Sequence, residues 1–356
     1  MRRPIVFALM LACHGALGCG EPPASSAAAG PAGARASAGA ETRLRVVDGV
    51  NMDVRDVPLL MAFDELAAIG YDVERVYIAG NTLLADTLAR GDAEVGVINN
   101  ETAWSAIAKG ADIRTVSEFT VYTGLVAVHN GIRSCDDLQG RPVAIPVTTG
   151  FAPLLFNLFM RSQCPGTEPQ ILVIAESSAR TTALLSGRID AAMVPGEELL
   201  KLQGQSPNRF HALAVPARQY PGIRVDGVQV RRAWAERHPD AVKALIAAQL
   251  RAHRLVRKNP RILYDESAKR LSLDPSTARA IADSHLQQDI WEVNGGLTRE
   301  NIQSTIAFLV ESHALPSALD VSEVADLSYL DAVLADLGRA DPAQSSNGRP
   351  SPQTAR

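Results

Sequence analysis

Eight residues carry side chains that this chain could turn on a small ligand: Asn51, Asn99, Glu101, Tyr122, Thr148, Thr149, Phe151 and Glu197. The two carboxylates would accept hydrogen bonds from amine or hydroxyl donors. Asn and Thr would donate or accept, and Tyr122 and Phe151 would cover an apolar part. Asp53 and Asp226 stand on neighbouring loops and add to the acidic set. The alternative for each acid is a solvated loop charge, and for Glu101 and Glu197 a charge set against a helix N-terminus. This is recognition chemistry rather than turnover. The seven histidines are scattered, and no HExxH or Cys-x-x-Cys spacing occurs. No Gly-x-Ser-x-Gly elbow or phosphate-binding loop is present, and nothing calls for a cofactor or a metal.

The elements that must position these residues recur. Ile171 to Ala175 reads as a short buried strand, Thr181 to Leu185 as a helix stopped by Gly187, and Ile189 to Val194 as the next strand. Thr87 to Ala103 has the same grammar. Leu88 matches Leu184, Gly91 matches Gly187, Glu94 matches Asp190, and Glu101 matches Glu197. Two unrelated helix ends of the form Leu-x-x-Gly would also give this likeness. Taken as a repeat, it predicts two α/β units whose strands end at loops facing a ligand crevice.

The length of 356 residues fits two domains, and a net charge of −4 excludes a general attraction to nucleic acid. Residues 1–19 read as a targeting segment: Arg2 and Arg3, an apolar core from Ile5 to Ala12, then small residues before Cys19. Ala16-Leu17-Gly18-Cys19 resembles a bacterial lipoprotein signal, in which the Cys becomes the lipid-bearing first residue; a plain cleaved peptide is the alternative. Residues 20–43 are rich in Ala, Gly, Ser and Pro and read as a flexible tether. Residues 44–127 and 226–338 are expected to form lobe I, 128–225 lobe II, and 339–356 a disordered tail. Gly124 to Val128 and Val225 to Val230 read as two strands joining the lobes, a two-strand hinge. From Ala233 the chain is nearly all helical. Of the four cysteines, Cys135 and Cys164 remain after the leader, which suggests a disulfide, with two free thiols as the alternative.

The order of these pieces resembles the substrate-binding proteins of bacterial ABC importers, in the alkanesulfonate, taurine, nitrate and thiamine-precursor group. The residues that carry the likeness are Asp137 to Pro146, Ala183 to Ala192, His238 to Val242 and Asp326 to Leu330. The resemblance implies a type II periplasmic-binding-protein fold. Each lobe would hold a mixed, mainly parallel sheet flanked by helices and would close on a ligand for an ABC permease. With the lipoprotein-like leader and the missing catalytic motifs, the expectation is a monomer in the periplasm, tethered to the membrane by lipid, with no enzymatic step. Members often carry a Lys-Gly-Ser-like turn after the strand Val143 to Pro146. Here the turn is Val147-Thr148-Thr149-Gly150, so an amine, a polyol or another hydrogen-bonding solute is favoured over a simple anion. Two alternatives remain. One is a sensing or carrier lipoprotein without a permease. The other is a pyrimidine-precursor synthase-like enzyme, although His129 and His211 do not match that site.

Overall fold

The computed structural model describes residues 43–49 and 52–341. The expectations for Cys19, the leader, the tether up to residue 42, Asn51 and residues 342–356 lie outside them. Ten strands follow one another: β1 Arg43–Asp48, β2 Asp72–Tyr77, β3 Val95–Asn99, β4 Ile113–Glu118, β5 Gly124–His129, β6 Pro142–Ile145, β7 Gln170–Val173, β8 Ala191–Pro195, β9 Phe210–Ala214 and β10 Asp226–Arg231. They form two five-stranded sheets, ordered β2-β1-β3-β10-β4 and β7-β6-β8-β5-β9. In each sheet four strands run the same way and one is reversed, β10 in the first and β5 in the second.

The two sheets repeat one plan. Helix Asn81–Arg90 ends at Gly91, β3 follows, and helix Asn100–Ala108 begins at its end; helix Ser177–Leu185, Gly187, β8 and helix Gly196–Gln205 do the same. Gly91 and Gly187 have φ of 82° and 71°, the left-handed turn that a residue without Cβ takes most readily. β3 and β8 are the third strands of their sheets, and Asn99 and Pro195 are their last residues. Their antiparallel partners match too: Asp226 sits opposite Asn99, and Gly124 opposite Pro195.

The chain crosses between the sheets at residues 119–123 and 220–225. The strands expected as the hinge therefore lie within sheets, and the expected boundary at 127/128 passes through β5, which pairs wholly in the second sheet. The apolar side chains of β1, β3 and β10 pack against helices Val57–Ala68 and Pro239–Lys258 in one large core. Later helices Pro260–Leu271 and Pro275–Gln288 close a smaller cluster around Trp291 on the same lobe. In the second lobe, Cys135 and Cys164 form a disulfide with Cα atoms 5.1 Å apart.

Two readings need correction. The apolar run Ile171 to Val173 is not buried. β7 pairs only with β6, at the sheet edge, and all its residues are exposed, Val173 by 54%. An edge strand has no second neighbour to cover it, and apolarity alone did not say which strand would take the edge. The chain also stays ordered past residue 338: Ala340 exchanges two backbone hydrogen bonds with the Asn294 side chain, at 2.8 and 2.9 Å.

Candidate functional site

The carboxyl ends of β1, β3 and β8 point at the gap between the sheets, where loop and helix-start residues converge. At the end of β1 the chain turns through Asp53-Val54-Arg55-Asp56. Asp53 and Asp56 cap this turn reciprocally: Arg55 N donates to Asp53 Oδ1 and Asp53 N donates to Asp56 Oδ2, both at 2.6 Å. Trp291 Nε1 donates to the Arg55 carbonyl at 3.0 Å and so ties the turn to the helical cluster behind it. The arrangement leaves the Arg55 side chain projecting into the gap.

Two cavities meet at Arg55 and Tyr122, both of which line each of them. The first, about 270 Å³, has Asp48, Asp56, Asn99 and Asp226 from the first lobe and Phe151 and Ala152 from the second. The other, about 210 Å³, has Asp53 from the first lobe and Pro146, Arg180, Pro195 and Glu197 from the second. Each cavity thus draws on both lobes.

Within the first cavity Asn99 accepts from Asn81 Nδ2 at 2.8 Å and donates to Asp226 Oδ1. Arg55 Nη1 approaches Asp226 Oδ2 at 3.7 Å, and Arg55 Nε lies 3.2 Å from Asp53 Oδ2. Burial pushes the Asp48 carboxyl above the usual range, against the pull of its bond from Gly49 N–H and of Arg75. Burial, followed by the charge of Asp53, lifts Asp56 to about 7. Asp226 is raised by burial as well, with Arg55 opposing. Burial works against the Arg55 charge, but Asp53, Asp56, Asp226 and Glu197 outweigh it and raise its pKa. The Tyr122 phenol is pushed up by burial and then by Asp226. Its ring lies over Gly124, where a Cβ would fall 2.3 Å from the Tyr122 hydroxyl oxygen.

Of the residues expected at the site, Asn99, Tyr122, Phe151 and Glu197 line the cavities. Phe151 also leaves its own lobe's core. It is 3% exposed and stacks on Phe308 of the helical region, centroids 6.2 Å apart. Glu101 lines neither cavity; it occupies the second position of helix Asn100–Ala108, where its carboxylate accepts from the Thr102 hydroxyl at 3.1 Å. Thr148 and Thr149 are exposed on the turn before helix Phe151–Gln163 and line neither cavity. The residues the sequence reading missed are Asp48, Arg55, Asp56, Asn81 and Arg180. The capping pattern of Asp53 with Asp56 three residues on was visible and could have marked Arg55. Arg180 gave no such signal. It is buried in helix Ser177–Leu185, and its guanidinium donates to the carbonyls of Met193, Ile174 and Ala175 at 2.6 to 2.7 Å. Burial lowers its pKa.

His129 lies at the opposite end of β5 from Gly124, about 17 Å away at the usual strand rise. It contacts Asp190 at 2.9 Å, and His211 contacts Asn130 at 3.1 Å. Among the described residues no three His, Cys, Asp or Glu side chains are grouped to hold a metal ion, and no helix is long and apolar enough to cross a membrane.

Two mixed sheets of matching order, crossed twice by the chain and bordering a shared cleft, define a type II periplasmic-binding-protein fold. The chain belongs to the family described as NMT1/THI5 like, which matches residues 67–262. No curated protein sequence matches it. It is similar in structure to the periplasmic sulfonate-binding protein of Methylobacillus flagellatus, with a TM-score of 0.64 and 17% identity, covering 83% of this chain and 94% of that one. It is similar to the periplasmic nitrate-binding protein of Synechocystis PCC 6803, with a TM-score of 0.62 and 14% identity, covering 85% of this chain and 90% of that one. It is also similar to the ligand-binding component of an ABC-type import system from Staphylococcus aureus, solved with zinc bound, with a TM-score of 0.64 and 13% identity, covering 82% of this chain and 98% of that one.

Proposed function

We propose that the protein is an extracytoplasmic solute-binding protein that captures a small molecule in the cleft and delivers it to an ABC importer. It acts as a monomer, held at the membrane by lipid on Cys19, and it catalyses no reaction. The observation that carries this reading is that both cavities are lined from both lobes. A solute touching both walls gains its full set of contacts only when the lobes are together, so binding favours the closed state. The import-system and binding-protein names of its structural relatives support the delivery step. The solute is an amine, a polyol or a similar hydrogen-bonding molecule rather than a simple anion. The acidic lining of the first cavity supports that choice.

The test is to identify the solute carried through purification by native mass spectrometry, strip it, and add it back during small-angle scattering. The radius of gyration should fall. An unchanged radius at saturation would sink the capture mechanism. Palmitate-analogue labelling that survives Cys19→Ser would sink the anchor.

A further inference from the structure

We infer that the cleft selects an organic cation, holding its positively charged nitrogen among Asp48, Asp56 and Asp226 and its apolar body against Phe151 and Tyr122. This rests on the cleft being the solute site. The two cavities are lined by five carboxylates, Asp48, Asp53, Asp56, Asp226 and Glu197, against two guanidinium groups, Arg55 and Arg180. Arg180 is turned to three backbone carbonyls and does not offset a carboxylate by direct contact. Arg55 is shared between Asp53 and Asp226. The surplus lies in the first cavity, where Asp48, Asp56 and Asp226 face Arg55 alone; in the second, Asp53 and Glu197 are matched by Arg55 and Arg180.

The acids are also short of partners. Asp48 is 7% exposed, and its Oδ1 accepts from Gly49 N at 2.7 Å. Among the described residues its Oδ2 meets Arg75 Nη2 alone, at 3.9 Å and beyond hydrogen-bond reach. Among the described residues Asp226 Oδ2 meets Arg55 alone, at 3.7 Å. Each of these acids thus keeps in the cavity wall an oxygen that a ligand N–H could reach. Burial raises the pKa of Asp48, Asp56 and Asp226 alike, and the neighbouring guanidinium groups oppose that rise without cancelling it. Among the described residues no three such side chains are grouped to hold a metal ion; an ammonium or amidinium, whose several N–H groups can reach carboxylates that stand apart, suits them better. A polyol would supply donors but no charge, and a sulfonate or nitrate would meet repulsion. Phe119, Tyr122 and Phe151 bring aromatic walls to the same cavity, which suit the body of an amine or amidine and the charge itself.

The test uses three probes built on one aromatic ring: benzamidine, benzyl alcohol and benzenesulfonate, titrated calorimetrically into solute-free protein. Benzamidine should bind at least tenfold more tightly than the alcohol, and the sulfonate should not bind. Asp48→Asn and Asp226→Asn, each checked for an unchanged far-UV spectrum, should each weaken benzamidine at least tenfold and leave the alcohol unaffected. An alcohol or sulfonate that matches benzamidine, or failure of all three, overturns the inference. So does benzamidine binding indifferent to both variants. Scattering separates this from the reading beneath it. If a neutral or anionic solute compacts the protein, capture in the cleft stands and only the preference for a cation falls.

Discussion

Glu197 Oε2, on the second lobe, lies 3.8 Å from His285 Nε2, on the first. His285 is 1% exposed, and among the described residues neither ring nitrogen has a hydrogen-bond partner. Glu197 therefore faces the cavity on one side and a buried, unmatched imidazole of the opposite lobe on the other. Glu197→Gln should weaken solute binding about tenfold or more, the cost of a charged hydrogen bond of about 1.5–3 kcal/mol. The fold should be unchanged, and calorimetry with the co-purified solute measures the effect. Equal affinity in the two proteins would remove Glu197 from the site.

Glu101 is the internal control for that measurement. It matches Glu197 in position, yet its carboxylate is engaged by Thr102 and lines neither cavity. Glu101→Gln should leave affinity unchanged within error. A loss comparable to that of Glu197→Gln would mean that the cleft extends to the start of helix Asn100–Ala108.

Gly124→Ala should disturb the joint between the two cavities. The added methyl would sit 2.3 Å from the Tyr122 hydroxyl oxygen, so the ring must move. Overpacking of this kind costs about 1–3 kcal/mol. Urea unfolding should show that loss, and the loss caused by Gly124→Ala should largely disappear when it is made in a Tyr122→Ala background. An undiminished loss in that background would mean that the strain lies elsewhere.

Glu118 gives a pH dependence with a definite sign. It is 1% exposed, and burial pushes its carboxyl up to about 8, although Arg224 Nη1 donates to Oε2 at 3.0 Å and Glu292 shares the same guanidinium. An acid with a folded pKa above its unfolded value of 4.5 stabilises the fold below pH 4.5, and that contribution is lost as pH rises through about 8. The stability of the natural protein relative to Glu118→Gln should therefore fall between pH 5 and pH 8.5, measured by urea midpoints. A difference that rises with pH would show that the Arg224 pair, not burial, controls Glu118.

Cys135 and Cys164 close a loop with a sequence separation of 29. A loop of that size is worth about 3.6 kcal/mol in the chain-entropy account. Cys135→Ser should lower unfolding stability by roughly that amount, and reduction of the natural protein should do the same. Insensitivity to reductant would contradict the bond.

The repeat was legible because its signals are local. A Leu-x-x-Gly helix end and a short apolar strand keep their meaning wherever the unit is placed, and Glu101 and Glu197 do fall at matching positions. What differs between them is tertiary. Helix Pro275–Gln288 comes close to Gly196, beside Glu197, with Gln288 Nε2 3.0 Å from where a Cβ would stand. Nothing in the repeat itself announces a helix that arrives some ninety residues later. β7 failed for the same kind of reason, since its composition suits an interior strand and only the sheet order puts it on the edge. Phe151 was legible as a cleft residue, but its stacking on Phe308 was not, because that contact spans both lobes.

β10 lies between β3 and β4, although the whole second sheet separates it from them in sequence. The second sheet is built from one continuous stretch, β5 to β9, and has every strand it needs as soon as that stretch is available. A chain emerging from its N-terminus would present β1 to β4 with a vacant lane down the middle and β4 unpaired. Contacts closed over so long a separation form late. The lobe that starts first is thus the one completed last, and its unzipped edges are what a holding chaperone would have to shield in the interval.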